Sequence, residues 1–306
     1  MKQPVKVWYK GWVELLDGRK ISQQIRAEIK QEVDSLKQAS IVPGLAVILV
    51  GEDPASQTYV NAKEKACAEL GIRSFDHRLP SSTSKEEILR LIEAFNQNPE
   101  VDGILVQLPL PKGLPEKEIL EAIHPAKDVD GFHPMNLGKL LLGEEGVVPC
   151  TPLGILKLLQ YGKVQTSGKH AVILGRGITV GRPLANLLSR KNKGANATVT
   201  LCHTGTPDFS VFTKQADILI AAVGVPHLVK GAMVKEGAVV IDVGVNRIPD
   251  PAKKAGFRLL GDVEFESVAP KASKITPVPG GVGPMTITML LYNTVRSAQN
   301  RLNRNV

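Results

Sequence analysis

Apolar positions recur along this chain with two periods. From Gly18 to Gln38 they fall at Ile21, Ile25, Ile29, Val33 and Leu36, the spacing of a helix with one buried face, and Asp17 stands where a cap belongs. Leu45 to Val50 is instead an unbroken apolar run ending at Gly51, the mark of a strand covered on both faces. The alternation continues with a helix over 55–70 closed by Gly71 and a strand over 72–79. A Ser84/Glu87 capping box then opens a helix whose inner face is Ile88, Leu91, Ile92 and Phe95. A buried strand over 104–108 must end at Pro109-Leu110-Pro111. A short helix over 115–123 leads to the polar loop Lys127-Asp128-Val129-Asp130-Gly131. Strand followed by helix, repeated, predicts an α/β fold with a parallel sheet and right-handed crossovers.

The pattern then restarts. Thr151-Pro152 opens a helix through Gln160. A buried strand, Ala171 to Leu174, meets the glycine turn Gly175-Arg176-Gly177, and a helix over 180–190 follows. Further strands are expected over 198–202, 218–223 and 239–243, which makes a doubly wound, Rossmann-type nucleotide-binding unit. Strand, glycine turn and helix in that order form an anion site, because the turn brings backbone N–H groups to a phosphate and the helix start favours negative charge. The spacing, G-x-G-x-x-x-G, is one residue longer than the common dinucleotide fingerprint. A last helix, 287–302, has no place in a minimal unit of this kind and is predicted to return to the first domain. The expected division is therefore a catalytic domain over 1–148, joined by 284–306, and a nucleotide-binding domain over 149–283.

Composition narrows the function. In 306 residues, 43% apolar, there is material for two real cores. Aromatics at 4% argue against a base-stacking nucleic-acid platform; the net charge of +8, without a Lys/Arg block, fits a basic solvated surface first, and suits small polyanionic ligands and nucleic acid equally. The three cysteines, Cys67, Cys150 and Cys202, are too scattered for a disulfide framework or a zinc site, and the six histidines lack metal spacing. The first residues carry no apolar leader, and no run reaches the length of a membrane span, so a soluble, cytoplasmic protein is expected. Trp8, Tyr9 and Trp12, among charges, fit no element of the pattern.

In open parallel sheets ligands bind beyond the carboxyl ends of the strands. Tyr59 and Lys63 lie four apart early in the helix after the strand 45–50, and so point the same way. Gln107 ends the strand 104–108, and Asp128 and Asp130 lie in a loop nearby. A ring, an amine, an amide and one or two carboxylates would face one cleft, with the nucleotide domain as its other wall. Each also fits a plain structural role: surface pair, strand end, turn. There is no G-x-S-x-G, H-E-x-x-H or Walker lysine motif. Oxidising an alcohol needs a base or metal for the hydroxyl proton; oxidising a carbon between two nitrogens does not, because the positive charge delocalises onto nitrogen.

YVNAKEKA (59–66), GILVQLPLP (103–111), KDVDG (127–131), GRGITVGRP (175–183) and TPVPGGVGPMT (276–286) resemble, in order, the bifunctional methylenetetrahydrofolate dehydrogenase/methenyltetrahydrofolate cyclohydrolase family. The resemblance spans about residues 14 to 300. It implies oxidation of 5,10-methylenetetrahydrofolate and hydrolysis of the methenyl product to 10-formyltetrahydrofolate in one cleft, within the one-carbon metabolism that purine biosynthesis draws on. It implies Lys63 as the catalytic lysine of both steps, Tyr59 as the ring stacked near the folate, Gln107 as the amide tuning Lys63, and Asp130 as the carboxylate holding the pterin. Val106 and Leu108 flank that amide, and Pro279, Gly280, Gly281, Val282, Gly283, Pro284, Met285 and Thr286 match the segment lining the meeting point of folate and nicotinamide. Gly175, Arg176, Gly177, His203, Thr204 and Val245 match cofactor-contacting positions. Two departures stand out, since the family often has serine at the positions of Gly177 and Thr204.

The expected cofactor is NADP rather than NAD. The strand 198–202 ends in His203-Thr204-Gly205 with no carboxylate for a ribose 2′-OH, and Arg176 offers a guanidinium for a 2′-phosphate. The resemblance further implies a homodimer paired through the nucleotide domain and tetrahydrofolate substrates that can carry polyglutamate tails. No metal, nucleic-acid or membrane partner is expected. The rival reading within the class is a dehydrogenase with little cyclohydrolase activity; outside it, a folate- or nucleotide-binding regulator without turnover, or a basic nucleic-acid binder, for which the sequence carries no recognition motif.

Overall fold

The computed structural model describes residues 7–10, 13–253 and 256–304; Trp12 and the side chain of Trp8 lie outside that description. The strands are β1 Val7–Tyr9, β2 Val13–Leu15, β3 Gly44–Val50, β4 Arg73–Leu79, β5 Gly103–Val106, β6 His170–Leu174, β7 Thr198–Cys202, β8 Ile218–Ala221, β9 Val239–Asp242, β10 Asn246–Pro249, β11 Phe257–Leu260 and β12 Lys274–Ile275. The helices are α1 Gly18–Gln38, α2 Pro54–Leu70, α3 Lys85–Gln97, α4 Glu116–Glu121, α5 Pro134–Leu142, α6 Cys150–Tyr161, α7 Gly181–Ser189, α8 Ser210–Thr213, α9 Phe265–Val268 and α10 Val282–Arg304. The chain divides into two compact units, one of residues 24–150 and 287–306, the other of residues 1–23 and 151–286.

The first unit is built on a three-stranded parallel sheet in the order β4-β3-β5. Every residue of the central strand β3 is buried, which is why its sequence is apolar without alternation. Ala46, Ile48 and Val50 share one face with Ile104 and Val106, packed with Ile88, Ile92 and Phe95 of α3 and with Ile119 and Ile123. Burying such a side chain contributes about 1.5–3 kcal/mol. The edge strand β4 is largely open to solvent and accordingly polar, RSFDHRL. Asp53 caps α2 by accepting from the Ser56 N–H at 2.7 Å, and Gly71 ends it at φ 75°, a left-handed conformation that suits glycine. Ser84 accepts from Glu87 N–H at 3.2 Å, as its capping spacing predicts.

The predicted return of the last helix is observed, with α10 beginning at Val282 rather than 287. Asn293 Nδ2 donates to the carbonyls of Val129 and Val148, and Arg301 pairs with buried Asp102. Helix α5 was not anticipated. Met135, Leu141 and Leu142 on it are exposed while Asn136 and Leu140 are buried, so its apolar residues do not mark its inner face.

The second unit holds a seven-stranded sheet, β1-β2-β12-β9-β8-β6-β7, parallel except for β1 against β2. Its core is drawn from Val172, Leu174, Leu219, Ala221, Val240 and Ile275, together with Val13 of β2. β2 pairs with β12, so residues 1–23 count with this unit and not, as the sequence reading placed them, with the first. Strands of two or three residues are too short to display a period of two, and β1, β2 and β12 escaped notice for that reason. The unplaced Tyr9 belongs to this added edge: its hydroxyl donates to Glu266 at 2.6 Å and its ring meets Phe265 edge-on. The antiparallel hairpin of β10 and β11 was likewise not expected.

Candidate active site

In the three-stranded sheet β3 lies between its successor β4 and the later β5, so the chain leaves the carboxyl ends of β3 and β5 in opposite directions, the kind of place where open sheets hold ligands. Tyr59 and Lys63 sit on α2, which follows β3. Gln107 follows β5, anchored by its N–H to the Ile48 carbonyl at 2.8 Å. Lys63 Nζ donates to Gln107 Oε1 at 2.9 Å, and Gln107 Nε2 donates to the Leu108 carbonyl at 2.6 Å, an arrangement that turns the amide oxygen toward the amine. Burial pushes the Lys63 pKa below the usual lysine range, and the nearby Asp130 carboxylate pulls it back up. Asp130 is pushed above the ordinary carboxylate range by burial, with Lys63 opposing that shift. Tyr59, one helical turn before Lys63, is 43% exposed and free to meet a flat ligand. Val106 is buried and Leu108 half-buried beside Gln107.

The two aspartates of the KDVDG loop part company here. Asp128 is buried and accepts from Gly131 N–H, His133 N–H and Asn136 Nδ2 at 2.8–3.0 Å, so its carboxylate is used up in shaping the loop. Lys127 Nζ donates to the carbonyls of Phe95, Asn96 and Asn98 and closes the end of α3. Asp130 remains to face Lys63. Behind it stand two residues that sequence reasoning missed. The Cys150 thiol hydrogen-bonds Asp130 and donates to the Val129 carbonyl at 3.2 Å, and Asn293 Nδ2 donates to that same carbonyl at 2.9 Å. No spacing signal could have found them, because both reach the loop from elements more than ten residues away in sequence.

The second unit offers a sheet edge shaped by backbone. β6 lies between β7 and β8, again a reversal of strand order. A Cβ built on Gly175 (φ 108°) would collide with the Ala222 carbonyl, and one on Gly181 with the Gly175 carbonyl, so only glycine fits either place. Arg176 and Gly177 are exposed in the turn that precedes α7. His203 follows β7, its Nδ1 accepting from Gly205 N–H at 3.0 Å, and Thr204 beside it is exposed. Val245, after β9, is 46% exposed; Ile178 and Val225, exposed on neighbouring loops of the same edge, were not foreseen. The exposed glycine turn with its guanidinium, at the start of α7, fits a dinucleotide with anionic phosphates. In the segment 279–286, Val282 and Met285 are core side chains and Gly280 and Gly281 are buried, which leaves Pro279, Gly283, Pro284 and Thr286 with accessible surface. Thr286 Oγ1 lies 3.0 Å from Thr151 Oγ1.

A cavity of about 230 Å³, lined by Lys163, Lys169, Asp217 and Lys235, lies instead at the amino ends of the strands; it brings together none of the residues above. Among the described residues no His/Cys/Asp/Glu group could hold a metal, and no helix is long and apolar enough to cross a membrane.

Residues 16–130 match the tetrahydrofolate dehydrogenase/cyclohydrolase catalytic domain, and residues 149–302 match the NAD(P)-binding domain of the same family. The chain belongs to the tetrahydrofolate dehydrogenase/cyclohydrolase family. A bifunctional protein FolD of Chloroherpeton thalassium is 56% identical over 94% of this chain and 99% of its own. The crystal structure of the bifunctional methylenetetrahydrofolate dehydrogenase/cyclohydrolase of Campylobacter jejuni is 52% identical, with a TM-score of 0.88 over 94% of this chain and 99% of that one. The dehydrogenase-cyclohydrolase of Trypanosoma brucei, solved with NADP and an inhibitor, is 40% identical with a TM-score of 0.90 over 95% and 98%. As a member of this tetrahydrofolate dehydrogenase/cyclohydrolase family the chain is a methylenetetrahydrofolate dehydrogenase and methenyltetrahydrofolate cyclohydrolase. A dehydrogenase-only reading is not favoured.

Proposed function

We propose that Lys63, held by Gln107 and set against Asp130, is the proton carrier of the reaction, and that NADP is the cofactor. The observation that carries the first part is the 2.9 Å bond from a lysine of lowered pKa to an amide oxygen fixed at the reversal of strand order. A lysine poised nearer neutrality can both accept and return a proton, which an ordinary surface lysine cannot do efficiently. Asp130 accepts from the N–H donors of the pterin edge, and Tyr59 lies against its ring.

In the dehydrogenase step the reacting carbon lies between two nitrogens. NADP, when bound, supplies the hydride acceptor. Loss of hydride leaves a charge shared by both nitrogens, so the protein need only orient the substrate. In the cyclohydrolase step water adds to that cationic carbon and its proton passes to neutral Lys63. The carbon–N5 bond then breaks as Lys63 returns the proton to N5, the hydroxyl proton leaves to solvent, and the carbon remains on N10 as the formyl group. Gln107 keeps Nζ in place through both transfers.

Arg176, with Thr204 and His203 on the neighbouring loop, is suited to a 2′-phosphate, and β7 runs into His203-Thr204-Gly205, with no carboxylate at the strand end to select a bare ribose. We further propose a homodimer paired through the nucleotide-binding unit, cytoplasmic location, and acceptance of polyglutamylated folates. Assays of both steps on the purified protein with NADP and with NAD test the reading. Methenyl formation with NADP preferred, followed by decay of its absorbance to the formyl product, is expected; equal use of the two cofactors would overturn the NADP assignment.

A further inference from the structure

Two carboxylates of the nucleotide-binding unit have no part in the reading above. Asp242 ends β9 and Asp262 follows β11; they are 4% and 0% exposed. Asp242 Oδ1 accepts from the backbone N–H of Gly244 at 3.0 Å and of Asp262 at 2.9 Å, and Oδ2 from that of Val263 at 3.0 Å. Asp262 Oδ2 in turn accepts from the N–H of Val223 at 2.7 Å and of Gly224 at 3.0 Å, and Oδ1 from Asn246 Nδ2 at 3.0 Å. The backbone makes room for this chain of bonds. A Cβ on Gly244 would collide with the Asp262 carboxylate, and one on Gly261 with that of Asp242.

What the chain grips is informative. The consecutive amides of Val223 and Gly224, with Gly224 at φ 69°, form the kind of concavity that takes an anion. Here an internal carboxylate fills it. The loop after β8 therefore offers those amides to Asp262 and not to a phosphate, while its preceding carbonyl, on Ala222, lies against Gly175 of the glycine turn. The loop after β9 is held through Gly244, next to exposed Val245. An apolar pair could fill the same core volume without the desolvation cost of two buried carboxyl groups. What the carboxylates add is fixed N–H directions in two loops of one sheet edge.

We infer that Asp242 and Asp262 are positioning residues for the dinucleotide, an internal carboxyl relay that holds the loops after β8 and β9 in register with the glycine turn. The inference rests on the reading that the cofactor binds at this edge. The test is calorimetric titration of NADP into wild type, Asp262→Asn and Asn246→Ala, with cofactor-free hydrolysis of the methenyl substrate and the melting temperature measured on the same samples. An asparagine has one acceptor oxygen, so either the two amides or Asn246 loses its partner. The Kd of Asp262→Asn is expected to rise about tenfold, and that of Asn246→Ala roughly threefold. NADP KM should rise in step while the dehydrogenase kcat at saturation, and cofactor-free hydrolysis, stay within about twofold. Unchanged NADP binding by folded variants overturns the inference. So does parallel loss of hydrolysis and NADP binding, or an unfolded Asp262→Asn beside an Asn246→Ala with wild-type affinity. If the wild type itself does not bind NADP, the cofactor reading fails and takes this inference with it.

Discussion

The two units solve the problem of making a ligand edge in opposite ways. The three-stranded unit works with side chains. Lys63 and Asp130 both have their pKa values displaced by burial, and Gln107 orients one of them. The seven-stranded unit works with backbone, through Gly175 and Gly181, whose contacts leave no room for a Cβ, and through buried carboxylates that shape loops. A site made of perturbed side chains loses chemistry when one is truncated and keeps its shape. A site made of close backbone approaches loses its shape first. The contrast can be tested by asking which function each substitution removes.

The largest expected effect is on the side-chain site. Lys63→Ala should lower methenyl hydrolysis by ~10²–10⁴-fold, the usual loss for one positioned acid/base group, while NADP affinity stays at the wild-type value. Wild-type hydrolysis by this variant would remove Lys63 from the mechanism. Asp130→Ala comes next. Losing one partner of a charge-assisted pair costs ~1.5–3 kcal/mol, roughly ten- to a hundredfold in folate affinity. Because Asp130 also pulls the Lys63 pKa upward and neutral Lys63 takes the water proton, its removal should shift the ascending, acid-side limb of the hydrolysis profile to lower pH. An unchanged folate constant would place the pterin elsewhere.

Arg176→Ala should be milder. The guanidinium is exposed, so solvent screens its contact with a 2′-phosphate, and about a tenfold fall in NADP-over-NAD preference in kcat/KM is expected. No change in that ratio would show that the turn does not read the 2′-phosphate. Gly177, next to it, has no side-chain hydroxyl to share that task.

How far these features could be read from the sequence follows the same division. Periodicity located the long elements: α1, α2, β3, α3 and the run from β6 to α7 all lie where their apolar spacing puts them. The cluster of Lys63 and Gln107 was readable because a parallel sheet brings its strand ends to one edge, so residues 44 apart in sequence could be placed together by topology. What stayed hidden depends on contacts with no period. The residues that hold the Asp130 loop, Cys150 and Asn293, arrive from other helices, and β2 joins its sheet by pairing with β12. Asp128 and Asp130 look alike in sequence; only their hydrogen bonds tell the loop-shaping carboxylate from the one facing Lys63.

Asp102 supplies the smallest expected effect on turnover and the sharpest check that a perturbed pKa is not in itself a sign of chemistry. It lies in the three-stranded unit, 3% exposed, accepting from Gly44 N–H at 3.0 Å and paired with Arg301 Nε at 3.1 Å. Burial pushes its carboxyl up to about 6, against the opposing pull of the Gly44 amide and Arg301. The folded state then holds a proton more tightly than the unfolded chain, whose aspartate titrates at 3.8. Stability from this group is complete below the unfolded value and is lost as pH rises through about 6. Asp102→Asn has no such proton to lose. The melting temperature of wild type relative to this variant should therefore fall between pH 4 and pH 7, by roughly 2–4 °C for each kcal/mol of stability lost. A relative melting temperature that instead rises over that interval would mean that Arg301 keeps Asp102 ionised throughout. Hydrolysis by Asp102→Asn should match wild type at both pH values, because this carboxylate anchors α10 and the Gly44 amide and touches no residue of the proposed proton path.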